Sequence, residues 1–201
     1  MSISAADVKA LRDRTGAAMM DCKSALAEAE GDLDRAIEIL RVKGQASAAK
    51  REGRGTEEGV VASYIHANDK VGAMVEVQCE TDFVARNEDF KAFAYEVALH
   101  VAATSPRYVS ADEIPEDDRE AEKRVFLEKV REEGKPDDIA EKIVEGQLAK
   151  WAREVALLEQ DHVNADKHDS KSIEELRQEL AAKTGENIRI ARFAYFRVGE
   201  A

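Results

Sequence analysis

The sequence predicts an α+β protein with a three-helix domain at residues 1–43, a linker at 44–58 and an α+β core at 59–201. Apolar residues recur at steps of three and four in the first segment, which is the period of an amphipathic helix. Small and charged residues replace them in the second segment. In the third segment the apolar period changes to two, as in a half-buried strand, and later returns to the helical period. We therefore expect a core with an antiparallel sheet and packed helices.

The N-terminal segment contains signals for three short helices. Ser4 and Asp7 have the spacing of a capping box, and the first apolar stripe ends at Thr15-Gly16. A second stripe begins at Met19, and a Gly-Asp break separates it from a third. Adjacent helical residues point in different directions, so Met20 should face solvent if Met19 packs inward. The alternative is that both methionines belong to the core.

The linker reads GQASAAKREGRGTEE and contains Lys50, Arg51 and Arg54 among small residues. This mixture of Ala, Gly and charge is typical of a flexible connection between domains. A direct binding role for its three basic residues is the second interpretation, and the sequence does not decide between the two.

The core should begin with a β-hairpin from Val60 to Cys79, turning at Asn68-Asp69, where apolar residues alternate. Helical spacing returns after Asn87, which suits an N-cap because acidic residues follow it in the first turn. This helix should end at Pro106.

The remainder of the core should hold further helices and a final strand. Ser110 and Glu113 have capping-box spacing, and charged helices are predicted at 117–133 and 137–158. The second of these should bury a stripe made of Ile139, Ile143, Leu148, Trp151 and Val155. A last helix from Ser172 to Thr184-Gly185 precedes a strand from Ile188 to Val198, which should join the hairpin in one sheet.

Composition excludes several classes of function. A formal net charge of -12 disfavours direct nucleic acid binding, which depends on clustered Lys and Arg. Cys22 and Cys79 form no CxxC pair, so neither a zinc knuckle nor a disulfide framework is expected. The N-terminus carries charges where a signal peptide needs apolar residues, and no membrane-length apolar run follows. We expect a cytoplasmic protein without membrane contact.

Catalytic and metal-binding patterns are absent from the sequence. The 4 histidines follow no ligand spacing such as HxxxH, and neither GxxxxGK[ST] nor GxGxxG occurs. His162 and His168 lie among aspartates in a polar segment that we interpret as a solvated loop; the alternative is a metal hydrolase site. We expect no catalytic residue, no bound metal and no cofactor.

The segment Thr81–Asn87 places a carboxylate beside a large aromatic residue between the predicted hairpin and helix. Phe83 in such a position is commonly a core residue. The second interpretation is that a rigid scaffold presents Asp82 and Phe83 to the pocket of a partner. Periodicity does not distinguish the two.

Four segments of the chain closely resemble bacterial elongation factor Ts: RTGAAMMDCKSAL, CETDFVARN, GKPDDIAEKIVEGQLAKW and the TGENI pattern from Thr184. The resemblance implies a ubiquitin-associated-like three-helix domain that docks on the GTPase domain of elongation factor Tu, with Arg12, Met19 and Met20 as contacts. It also implies that Thr81, Asp82, Phe83 and Val84 disturb the magnesium and phosphate site of that partner. GDP would then leave without covalent chemistry, and GTP would displace the factor.

The chain has room for one copy of the core, whereas longer members of the family carry two. His66 resembles a residue of the second copy in those members and is a further candidate contact. Two chains pairing as a homodimer, or as a two-to-two complex with elongation factor Tu, would restore the missing half. A different interpretation is a general adaptor whose three-helix domain binds some other protein; it gives the Thr81–Val84 segment no role.

Overall fold

The computed structural model describes residues 3–134 and 136–200. The helices are α1 (Ala5–Thr15), α2 (Met19–Glu28), α3 (Leu33–Ala49), α4 (Asp82–Ala85), α5 (Glu88–Thr104), α6 (Glu116–Glu132), α7 (Asp137–Val155), α8 (Ala165–His168) and α9 (Ile173–Thr184). The strands are β1 (Glu58–Ile65), β2 (Val71–Cys79) and β3 (Arg189–Arg197), and they form an antiparallel sheet in the order β1-β2-β3. The predicted α+β class is confirmed.

Helices α1, α2 and α3 form a small three-helix unit that we call the head. The predicted capping box is present, because the Ser4 hydroxyl accepts from the Asp7 N–H and the Asp7 carboxylate accepts from the Ser4 N–H. Gly16 ends α1 with φ 67, a left-handed conformation that glycine adopts without steric cost. The core of the head consists of Val8, Leu11, Cys22, Ala25, Leu26, Ala29 and Ala36. Likeness to a ubiquitin-associated domain stays a prediction.

Residues 44–49 belong to α3, so the predicted start of the linker is wrong. Small residues here allow close packing: a Cβ built on Gly44 would lie 3.3 Å from the Cβ of Ala182. Arg51 also donates to the Ala181 carbonyl oxygen, and Arg41 forms an ion pair with Glu175. The low apolar bulk of the segment therefore reflects tight helix packing onto α9 and not flexibility. Division into the three predicted domains stays a prediction.

The hairpin turns where the sequence predicts. Asp69 has φ 56, and the Asn68 side chain accepts from the Lys70 N–H, which are both features of a tight turn. Strand β3 pairs with β2, and Val198 N–H donates to the Lys70 carbonyl oxygen beyond the end of the strand. The first and last strands of the core thus meet in one sheet, as predicted.

Two expectations for the remaining core helices are wrong. Ile139 is exposed, whereas the other four members of the predicted stripe lie in the buried clusters of α7 or pack against them: Ile143, Leu148, Trp151 and Val155. Ser110 makes no side-chain cap; Glu113 instead accepts from the Val109 N–H.

The predicted solvated loop around His162 is also not what forms. His162 is only 2% exposed, because its ring packs against His100 with the ring centroids 5.4 Å apart. This segment is held by an isolated antiparallel β-bridge between Asp161 and Ser172. The His162 N–H also donates to the Lys171 carbonyl oxygen. The polar residues around His162 in the sequence therefore gave no indication that its side chain is buried.

The chain divides into two units. The first contains the chain through Val61, together with Glu76–Ala94 and Glu175–Ile190; the second contains Ala62–Val75, Tyr95–Glu174 and the chain from Ala191 onward. Among the described residues, no helix is both long enough and apolar enough to cross a membrane.

Candidate partner-binding site

The residues Thr81–Val84, which we call the corner, follow β2 and comprise the N-cap and the first three residues of α4. Thr81 is the N-cap of α4, and its hydroxyl accepts from the Val84 N–H at 3.4 Å. This short helix turns Ala85 into the protein, whereas Phe83 points outward and is 82% exposed. An apolar side chain with that exposure gains little of the stabilising free energy that burial away from water would give. Packing within the chain therefore does not account for the position of Phe83.

Glu186, in the segment between α9 and β3, holds the corner in place. Its carboxylate accepts from the Glu80 N–H at 3.0 Å, from the Thr81 N–H at 3.1 Å and from the Thr81 hydroxyl at 2.5 Å. Glu80 in turn accepts from the Asn187 N–H at 2.6 Å. Hydrogen bonds to a carboxylate are stronger than neutral ones, so this network fixes the backbone immediately before Asp82 and Phe83.

Asp82 and Cys79, two ionisable residues at the corner, differ in exposure and in charge. Asp82 remains partly exposed and pairs with Arg86, 3.1 Å away on the next turn, so its carboxylate is available at the surface. Cys79 is fully buried below it and its thiol lies 3.2 Å from the Thr81 carbonyl oxygen. Burial, reinforced by the nearby Glu186 carboxylate, raises the pKa of the Cys79 thiol to about 11. The thiol is therefore neutral and acts as a packing group.

The candidate residues of the head lie at the turn between α1 and α2. Met20 is 71% exposed and Met19 is 47% exposed, so neither belongs to the core, and the alternative that both are core residues is wrong. In α2 the core of the head begins at Cys22, about one turn after Met19. Arg12 is exposed on α1, and its carbonyl oxygen accepts from the Gly16 N–H. Ala18, the N-cap of α2, makes no side-chain hydrogen bond.

The chain matches the family model described as "Elongation factor TS" over residues 4–170. The chain belongs to the elongation factor Ts family. A relative from Geobacter sulfurreducens, named Elongation factor Ts, is 50% identical over 100% of this chain and 91% of the relative. Relatives of the same name from Fervidobacterium nodosum and Thermotoga neapolitana are 50% and 47% identical over 100% of this chain, and over 100% and 99% of their own lengths.

Membership of the elongation factor Ts family makes the chain a factor of translation elongation, as the sequence predicts. Sequence reasoning missed Glu186, which the structure brings to Thr81. It lies within the TGENI pattern that carried part of the resemblance, but its spacing to the corner, 105 residues, gives no local signal.

The other candidates lie elsewhere. His66 is exposed in the second unit, where its Nδ1 lies 3.2 Å from the Tyr64 hydroxyl, whereas the corner and the head belong to the first unit. Of the linker's basic residues, Arg54 pairs with Glu80 at 3.4 Å and Arg51 contacts the Ala181 carbonyl oxygen. These two arginines therefore have partners within the chain itself.

Proposed function

We propose that the chain is the guanine nucleotide exchange factor of elongation factor Tu and that the corner performs the exchange. The observation that carries this proposal is the exposure of Phe83, 82%, on a backbone held by three hydrogen bonds to Glu186. An apolar side chain that is both exposed and rigidly placed loses little conformational entropy when it enters a pocket. Such residues are typical of binding hot spots.

The corner acts on the magnesium and phosphate site of elongation factor Tu. Phe83 and Val84 insert as apolar groups, while Thr81 and Asp82 bring a hydroxyl and a carboxylate close to the metal. Displacing Mg²⁺ removes the largest positive charge that holds the GDP phosphates, so GDP dissociates. The chain supplies no covalent step.

Exchange follows from negative coupling between the factor and the nucleotide. Binding of the chain weakens the binding of GDP to elongation factor Tu, and binding of GDP weakens the binding of the chain by the same free energy. Arrival of GTP with its Mg²⁺ therefore releases the factor. A ternary complex that forms before GDP has left provides the fast path for release.

The head provides affinity. Met19 and Met20 present flexible thioethers to the GTPase domain of elongation factor Tu, and Arg12 contributes a charged contact on the adjacent helix. Methionine adapts to irregular surfaces, which suits docking more than it suits precise insertion. His66 provides a further contact from the second unit.

The second unit forms a homodimer, or a two-to-two complex with elongation factor Tu. An apolar groove on this unit is lined by exposed side chains of Ile65, Met74, Phe196 and Val198. A second copy would bury this surface. Light scattering of the protein in reducing buffer tests this point: twice the mass of one chain is expected, and the mass of a single chain, alone and per elongation factor Tu, would contradict it.

Release of a fluorescent GDP analogue from elongation factor Tu tests the proposed function. The complex is mixed in a stopped-flow instrument with excess unlabelled GDP, with and without the chain. We expect the release rate to rise with the concentration of the chain and to saturate. A rate that is the same at all concentrations would reject the exchange function.

A further inference from the structure

Three metal-ligand side chains that are not part of the proposed exchange site converge in the second unit. Glu96 lies on α5, His162 lies between α7 and α8, and His168 ends α8. One ligand atom of each lies within 4.8 Å of the other two. Together they offer two imidazole nitrogens and one carboxylate oxygen.

The spacing of these atoms fits a tetrahedral ion. The Oε2 atom of Glu96 is 3.5 Å from the Nε2 atom of His162 and 3.5 Å from the Nε2 atom of His168. Two ligands of a tetrahedral Zn²⁺ with bonds of about 2.1 Å stand about 3.4 Å apart. The same separation is too long for good hydrogen bonds between the groups.

Two of these atoms are buried without a hydrogen bond. Among the described residues, neither Glu96 Oε2 nor His168 Nε2 has a hydrogen-bond partner. A buried polar atom that loses water without gaining a partner is costly, and native structures seldom leave two such atoms facing each other. A bound cation would satisfy both at once.

Neighbouring groups hold the three side chains in place. Lys167 donates to Glu96 Oε1, which leaves Oε2 directed at the histidines. Buried His100 accepts from the Val163 N–H at 3.0 Å and fixes the segment that follows His162. Contacts of this kind orient the ligands in metal sites.

His162 requires one local change. Its Nδ1 accepts from the Asn164 N–H at 3.0 Å, so in the neutral ring the proton lies on Nε2, 3.3 Å from the Glu96 carbonyl oxygen. Coordination through Nε2 moves that proton to Nδ1. Both backbone hydrogen bonds of the ring, one to the Glu96 carbonyl oxygen and one from the Asn164 N–H, are then lost in exchange for a metal–nitrogen bond, so the backbone at Asn164 must shift.

We propose that Glu96, His162 and His168 form a binding site for one divalent transition ion of the zinc class. Two imidazoles with one carboxylate suit Zn²⁺ or Co²⁺, whereas Mg²⁺ and Ca²⁺ prefer oxygen ligands throughout. Lys167 cancels part of the Glu96 charge, which further disfavours ions held by charge alone. The ion links α5 to α8, and its role is structural.

Titration of the full-length chain, without a histidine tag and after treatment with a chelator, tests the site. Co²⁺ is added first, with visible absorption as the readout, and Zn²⁺ is then added to displace it. We expect one ion per chain. His168→Ala should weaken Co²⁺ binding by at least about tenfold, whereas His66→Ala, which removes an exposed histidine outside the cluster, should leave it unchanged.

Imidazole resonances of the wild-type chain give a readout that does not depend on whether a variant folds. On addition of Zn²⁺, signals of His162 and His168 should shift together and stop shifting at one equivalent, while those of His66 stay in place. Absence of stoichiometric Co²⁺ binding, binding that survives His168→Ala in a folded protein, or shifts confined to His66 would each overturn the proposal.

Discussion

The corner and the start of α2 both expose apolar side chains, but the two regions are held in different ways. At the corner, Glu186 accepts three hydrogen bonds and Thr81 caps the following helix. At the start of α2, Ala18 offers no cap, and two flexible methionines carry the apolar surface. A group that must enter a partner's site benefits from a fixed position, whereas a docking surface benefits from adaptability. From this difference we propose that the corner performs exchange and that the head provides affinity.

The largest effect should follow removal of the exposed ring. We expect Phe83→Ala to lower the maximal rate of GDP release by roughly tenfold to a hundredfold, the scale of a hot-spot loss of about 1.4 to 2.8 kcal/mol. The melting temperature should not change, because the ring makes little contact with the core. Val125→Ala, an exposed apolar residue on α6, is the matched control. A folded Phe83→Ala protein with the wild-type maximal rate would show that the ring does not act in exchange.

Loosening the corner should give the next largest effect. Glu186→Gln keeps the size of the side chain but removes the charge that strengthens its hydrogen bonds to Thr81. We expect a maximal release rate about fivefold to tenfold lower and a free energy of unfolding lower by about 1 to 2 kcal/mol. Stopped-flow release and urea unfolding measure the two quantities, with Glu128→Gln on α6 as control. An unchanged rate in a destabilised protein would mean that rigidity of the corner is unimportant.

A smaller and different effect should follow from the head. Met20→Ala should raise the concentration of the chain that gives half-maximal release by about threefold, which corresponds to roughly 0.7 kcal/mol. The maximal rate should stay the same, because the head contributes to docking only. Val42→Ala, which shortens another exposed apolar side chain of the head, is the control and should leave the half-maximal concentration unchanged. A lower maximal rate in Met20→Ala would remove the distinction between the two regions.

The last effect appears only at alkaline pH and concerns the packing of Cys79 beside the corner. The pKa of Cys79 is raised to about 11 in the folded chain, above its ordinary value of 9.0. Unfolding therefore favours loss of the thiol proton between these values, so the stability from this group is complete below about pH 9 and falls as the pH rises towards 11. Cys79→Ala should reduce the slope of unfolding free energy against pH in this range by up to about 1.4 kcal/mol per unit. Equal slopes in reducing buffer would contradict the burial argument.

Local patterns predicted the elements that carry these regions. The Ser4 capping box, the Asn68-Asp69 turn and the stop at Thr184-Gly185 depend on neighbouring residues, and each is present. Glu186 and Glu96 could not be predicted in the same way, because each meets its partners across 66 or more residues of chain. The small residues at 44–49 led to the wrong prediction that the linker starts at residue 44. Close packing between helices and flexibility of a linker both favour Ala and Gly, so composition alone does not distinguish them. The exposure of Phe83 could be seen only in the structure, because the spacing of apolar residues does not distinguish a buried aromatic ring from an exposed one.

The central claim is that the corner and GDP compete for binding energy on elongation factor Tu. Its most direct test is the affinity of the chain for nucleotide-free elongation factor Tu and for the GDP complex, measured by titration calorimetry with wild type and Phe83→Ala. We predict much tighter binding to the nucleotide-free form, and a ratio of the two Kd values at least about tenfold smaller for the variant. Equal affinity of the wild-type chain for both forms, or a ratio unchanged by Phe83→Ala, would contradict the account.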